Sequence, residues 1–323
     1  MSKTVKTWLT VATLLVVAGL TSLTVIMTVN GWDFSRLATE RYETNTYESD
    51  DQITDISIKT DTADIVFIPS DNGKYKVTCY ETEKVKHYVS VSEGMLTVTV
   101  VDTRKWYEHI GINIEAPKIT VYLPEKEYSS LVIKEATGDI EIPNDFKFEC
   151  IGISVSTGNV KCAASAEKEI RIKASTGAVS VTDISAGMLD IKTSTGKVTA
   201  SGISCEGDVT VSVSTGKAIL TDIVCKNVFS DGSTGDILLK NVIATERFSI
   251  GRDTGDVKLD DSDAAEIIIE TDTGDVEGSL LTDKVFTVKT DTGDTDIPKS
   301  VSGGRCEITT DTGDVRITIK QSK

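Results

Sequence analysis

The sequence predicts an all-β protein, a single-stranded β-solenoid of about ten rungs of 19–20 residues behind one N-terminal transmembrane helix. Three observations carry that prediction. A Thr-Gly pair recurs at fixed spacing, apolar residues alternate with period two on both sides of it, and one long stretch near the N-terminus is apolar and uncharged.

No charged residue lies between Lys6 and Asp33. Residues 7–29 are long enough to cross a ~30 Å hydrocarbon layer as a helix. A cleaved signal peptide would carry a shorter apolar region and a small-x-small site, so the span reads as an uncleaved anchor. Lys3 and Lys6 keep the six-residue tail 1–6 in the cytoplasm by the positive-inside rule and place the bulk of the chain outside. The first Cys is Cys79, which argues against a lipoprotein, and six Cys in all fit an oxidising compartment. Residues 30–49 read as a polar linker without periodicity, and 50–130 as an irregular β region, early rungs and cap, with strands near 53–58, 64–68, 75–79, 95–101 and 119–123.

From 131 to 323 the chain is a regular repeat. Gly138, Gly158, Gly177, Gly196, Gly216, Gly235, Gly255, Gly274, Gly293 and Gly313 each follow a Thr, at spacings of 19 or 20 residues. Five residues before the Gly the row runs Ile133, Ile153, Ile172, Ile191, Val211, Ser230, Ile250, Ile269, Val288, Ile308. Two after it stand Ile140, Val160, Val179, Val198, Ala218, Ile237, Val257, Val276, Thr295, Val315. Alternation on both sides of a turn means two short strands per repeat, one face in and one out. One repeat cannot bury its few apolar residues alone, but stacked repeats make continuous ladders. Ile172, Ile191, Val211 and Ile250 are expected inside, with Lys173, Lys192, Ser212 and Gly251 beside them outside. Cys205 and Cys225 fall one rung apart, as small buried corner residues or a disulfide across the ~4.8 Å rung spacing. Residues 315–320 are expected to end the stack with an open edge partly blunted by Arg316, Lys320 and Lys323, which leaves two outcomes, a monomer protected by charge or end-to-end self-association.

The segment "KITVYLPEKEY" (118–128), then "LVIKEATGDIEI" (131–142) and the repeated S-T-G-x-V and D-T-G-D-V turns resemble a bacterial family of β-strand repeat proteins known as "putative adhesins", a domain of unknown function common in Firmicutes. The resemblance covers about 45–320. It implies a β-solenoid on the cell surface and supplies no catalytic residue.

Charge and composition bound the chemistry. Net charge is −16, with 50 acidic against 34 basic residues, and argues against a nucleic-acid partner. Only His87 and His109 are present, which leaves little for a His-rich metal or triad site. No catalytic and no cofactor-binding residue stands out, and the expectation is a non-enzyme. A polysaccharide-active β-helix enzyme, with paired Asp on the outer face, is the remote alternative, because rungs that vary by one residue leave no long loops to build a cleft. The cluster 106–109 (Trp-Tyr-Glu-His) is the one aromatic, titratable group able to face a sugar. Metal candidates are confined to the acidic turns: Asp272, Asp275, Asp291 and Asp294, whose stacked charges repel by roughly 1 kcal/mol per pair in water and which Ca²⁺ would relieve. The alternative is that these carboxylates bond nearby backbone N–H groups. The function expected is a surface-anchored structural or interaction protein, adhesin-like, touching a cell-wall or surface ligand. The alternative is an envelope sensor or regulatory partner of a membrane protein.

Overall fold

A computed structural model describes residues 2–29, 31–32, 41–106 and 116–320. The apolar stretch is one helix, α1 (Lys3–Val29), long and apolar enough to cross a membrane, and nearly all of its side chains are exposed. The strands form one continuous wound sheet.

Within the repeat the rungs stack in parallel and in register. Ile153, Ile172, Ile191, Val211, Ser230, Ile250 and Ile269 pair in succession, and all are buried. Lys173 and Lys192 face outward, while Ser212 and Gly251 are half-buried. The inward and outward assignment read from period two therefore holds. Each turn glycine lies at φ between 121° and 159°. At Gly177 an added Cβ would stand 1.9 Å from the Gly158 carbonyl oxygen, so close rung approach as well as backbone conformation demands Gly. A second corner lies near the middle of five successive rungs. There Asp183, Asp222, Asn241 and Asp261 take left-handed φ of 50–53°, with Gly202 at 66°. Asn and Asp enter this region more readily than other side chains because they bond locally. All six cysteines are free thiols; Cys205 and Cys225 are buried as corner residues.

The ends depart from sequence order. The strand of the Gly274 rung pairs with that of the Gly313 rung, Ile269 beside Ile308, and the Gly313 rung pairs in turn with the Gly293 rung, Ile308 beside Val288. The last repeat is thus slotted between the two before it. The expectation that 315–320 close the stack is corrected: Val315 is fully buried, and 284–296 form the outer layer. Composition explains the exchange. The Gly313 rung offers Cys306, Ile308, Val315 and Ile317, all buried, whereas the Gly293 rung carries Thr295 in the Val row. Burying the more apolar layer on both faces is the more favourable order. The stretch 297–303 gives the chain length to cross back.

The N-terminal end is built the same way. Strands β1 (Tyr42–Ser49), β2 (Asp55–Thr62), β3 (Asp64–Pro69), β4 (Tyr75–Thr82), β5 (Val85–Ser92), β6 (Met95–Asp102) and β7 (Lys118–Leu123) make it. The first rung in sequence, β2 and β3, lies between the layer of β6 and β7 and the Gly138 rung. Beyond that layer the pairing turns antiparallel, β5 on β6 and then β1 on β4 on β7. β1 falls inside the segment 30–49 expected to be an irregular linker. Its alternate residues are polar, and what holds it is eight pairings to β4, from Tyr42 to Ser49. Tyr107 to His109 lie outside the described residues.

Candidate functional site

The turn carboxylates form a capping ladder. Asp256 Oδ1 accepts the backbone N–H of Asp275 at 2.9 Å, Asp275 Oδ1 that of Asp314 at 2.8 Å, and Asp314 Oδ1 that of Asp294 at 2.7 Å. The same bond joins Asp139 Oδ1 to Asn159 N–H and Asn159 Oδ1 to Ala178 N–H. The rung exchange separates the sequence-predicted pairs: Asp275 and Asp294 flank Asp314 instead of facing one another. Asp291 is engaged by Lys289 at 3.2 Å. Asp272 lines a shallow groove with Asp253 and Glu270, beside Arg252.

Arg252 is the exception in that groove. Its row elsewhere holds Val155, Ala174, Thr193, Val213, Gly232 and Thr271, yet its side chain is buried. Nη2 donates to Ser230 Oγ at 2.9 Å, and Ser230 Oγ donates to the Val211 carbonyl at 2.9 Å. An added Cβ at Gly232 would lie 3.1 Å from Nη1, so Ser230 and Gly232 leave the room that Arg252 fills. Burial pulls the guanidinium below its ordinary pKa, and Asp231 opposes that pull. The break in the Ile ladder at Ser230 and the Gly at 232 were the sequence signals of this arrangement.

Glu135, in the same inward row, sits against the β2–β3 corner. Its Oε1 accepts the Ala63 N–H at 3.1 Å, and its Oε2 is buried with no partner among the described residues. Burial pushes its pKa up to about 8; the Ala63 bond lowers it, and Asp64 and Asp139 add to the rise.

The densest titratable cluster lies in the cap, away from every sequence-predicted site residue. Cys79 and Glu81 project from one face of β4, two residues apart. β5 returns His87 over them. His87 Nδ1 stands 2.9 Å from Glu81 Oε2, and Nε2 stands 2.8 Å from Thr60 Oγ1. Glu81 Oε2 also accepts the His87 backbone N–H at 2.6 Å, and Oε1 accepts from Asn45 Nδ2 at 2.7 Å. Hydroxyl, imidazole and carboxylate are in the order of a nucleophilic relay. Thr60 is 2 % exposed, however, and Glu81 1 %, so the hydroxyl is closed to substrate. Burial, with Glu81 beside it, pushes the Cys79 thiol up to about 12. Among the described residues, this is the one set of three His, Cys, Asp or Glu whose ligand atoms all lie within 4.8 Å of one another. The signal in the sequence was a Cys-x-Glu followed six residues later by one of only two histidines.

Solved structures match the chain at low identity. A "putative adhesin" from Bacteroides fragilis NCTC 9343 is 14 % identical, with 87 % of this chain and 99 % of that one covered and a TM-score of 0.43. A "putative adhesin" from Parabacteroides merdae ATCC 43184 is 11 % identical over 86 % of this chain and 97 % of that one, at a TM-score of 0.45. A "putative lipid binding protein" from Parabacteroides distasonis ATCC 8503 is 15 % identical over 75 % and 98 %, at 0.40. No curated protein matches the chain. The Toastrack DUF4097 family model matches residues 53–212 and 204–323, so the repeat and most of its cap are spanned, and the chain belongs to the Toastrack DUF4097 family.

Proposed function

We propose that the chain is a membrane-tethered, non-catalytic surface rod that contacts a wall polymer or surface ligand through its outward rows. One observation carries this reading: the stack presents in-register rows of like side chains, Lys173 beside Lys192 and Asp236, Asp256, Asp275, Asp314 and Asp294 along the turn edge. Rows repeating at ~4.8 Å suit many weak contacts with a repeating partner, whose avidity exceeds any single contact. The apolar helix α1 supplies the tether, with its N-terminus on the cytoplasmic side.

The test is photo-crosslinking on intact cells that express the full chain, with probes at Lys173 and Lys192. Wall polymer or a surface ligand from outside is the expected capture. Capture of one membrane protein alone, lost when 7–29 is replaced by an unrelated span, would overturn the reading in favour of a regulatory partner.

A further inference from the structure

Cys79, Glu81 and His87 are buried together in the cap, their side chains facing one another. The side chains of His87 and Glu81 are 1 % and 2 % exposed, and Cys79 is 2 % exposed. Elsewhere in the molecule buried cysteines behave as small apolar residues: Cys162 and Cys306 simply occupy positions in the apolar rows. Cys79 instead faces a carboxylate and an imidazole. Taking three such groups out of water is unfavourable unless something compensates them.

The outer contacts match what a bound cation requires. A metal-ligating imidazole almost always donates its other ring N–H to an oxygen, and ligating carboxylates are themselves hydrogen-bonded. Thr60 Oγ1 stands ready to accept from His87 Nε2, and Asn45 Nδ2 holds Glu81 Oε1. The ligand atoms of His87, Glu81 and Cys79 lie within 4.8 Å of one another, with Glu81 Oε2 held by the His87 Nδ1 and backbone N–H. We propose that Cys79 Sγ, Glu81 Oε2 and His87 Nδ1 bind a borderline divalent transition-metal ion of the zinc class, tying the β4–β5 turn to the stack.

The donor set selects the ion. Sulfur, nitrogen and oxygen ligands in a closed pocket suit Zn²⁺, whereas Ca²⁺ and Mg²⁺ take oxygen alone. Metal–ligand bonds of about 2.0–2.1 Å to nitrogen and oxygen require the Nδ1 and Oε2 atoms to part by a few tenths of an ångström from their hydrogen-bonded separation. Binding releases the Cys79 thiol proton to solvent, leaving thiolate, carboxylate and neutral imidazole around the dication. Thr60 belongs to β2, Asn45 to β1, and the ligands to β4 and β5, so one ion would join four strands of the cap.

The test uses the full chain in detergent micelles, stripped with a chelator and then titrated with Zn²⁺ or Co²⁺ alone. The expected results are one equivalent of Zn²⁺ per chain, a melting temperature above that of the stripped protein, and a sulfur-to-cobalt charge-transfer band with Co²⁺. Cys79→Ser should remove that band and weaken Zn²⁺ binding at least tenfold, and Thr60→Val should weaken it by roughly 10–100-fold while keeping the band. Equal melting of stripped Cys79→Ser and stripped wild type establishes that the variant folds. If it does not fold, the wild-type cobalt spectrum decides by itself. Wild type that takes up no Zn²⁺, or binds Co²⁺ without the thiolate band, overturns the proposal, as does undiminished Zn²⁺ uptake by folded Cys79→Ser.

Discussion

Asp275 Oδ1 accepts the backbone N–H of Asp314 at 2.8 Å across 39 positions of sequence. Asp314 then caps Asp294, which precedes it in the chain. These two bonds mark the exchange of the last two rungs, and the exchange decides which side chains support the end of the stack.

Ile308 belongs to the last repeat in sequence but to an interior layer in space, fully buried between Ile269 and Val288. Ile308→Ala should therefore cost about 2–5 kcal/mol, as at any mid-stack position. Val288, half-buried in the outer layer, should cost about 1 kcal/mol or less on truncation to Ala. Chemical denaturation of both variants checks this. If stacking followed sequence order, the two costs would be reversed.

Gly177→Ala should abolish cooperative unfolding or lower stability by roughly 3 kcal/mol or more, because an unusual backbone conformation is joined by a 1.9 Å approach to the Gly158 oxygen. Gly152→Ala is the control. Its nearest neighbour to an added Cβ is 3.9 Å away, so the melting temperature should stay nearly unchanged.

Ile191→Asp should prevent folding, since an unpaired buried carboxylate costs several kcal/mol. Lys192→Ser, one residue along and exposed, should shift stability by no more than about 0.5 kcal/mol. A normal thermal transition for Ile191→Asp would contradict the assigned face.

Glu135 gives a pH dependence with a definite sign. Its folded pKa is about 8, against 4.5 ordinarily. Between those values the unfolded chain has released the proton and the folded chain still holds it. Folding stability from this group is thus undiminished below pH 4.5, falls as the pH rises through the window, and is lowest above about 8. Glu135→Gln should remove that fall, so its advantage over wild type should grow from pH 5 to 8 and then level off. A difference that does not vary with pH would place the titration elsewhere.

For the turn rows, Ca²⁺ and Na⁺ at equal ionic strength should give the full chain the same melting temperature. The reason is that Asp275 and Asp314 already spend an oxygen on backbone N–H groups. A rise specific to Ca²⁺, lost when Asp272, Asp275, Asp291 and Asp294 are replaced by Ser or Asn, would instead establish a cation site there.

The repeat was legible because its physics is local and periodic. Ile172, Ile191 and Val211 declare their face by alternation, and Gly177 declares its turn by recurrence. Rung order at the ends was not legible, since Ile308 pairs with Ile269 in the same register that Val288 would have used. Only the relative apolarity of two whole rungs separates those arrangements. β1 was missed because a polar strand such as Tyr42–Ser49 is held by backbone pairing, which leaves no hydrophobic pattern. The Cys79–Glu81–His87 cluster was missed for a different reason. Alternation placed Cys79 and Glu81 together, but only the β4–β5 turn brings His87 over them.

At the C-terminal end the last rung in sequence lies one layer in from the outside, so that end is closed by two interlocked rungs, while the N-terminal rung of β2 and β3 lies beneath the β6–β7 layer and its antiparallel strands. Between the ends the rungs share one register, apart from pairs fitted to one another such as Ser230 and Gly232 with Arg252. A whole rung of 19 or 20 residues between Gly158 and Gly216 touches neither the C-terminal exchange nor the Ser230–Arg252 pair, so its duplication preserves the register of the stack. The length of the stack is then a modular quantity, set in steps of ~4.8 Å by the number of rungs.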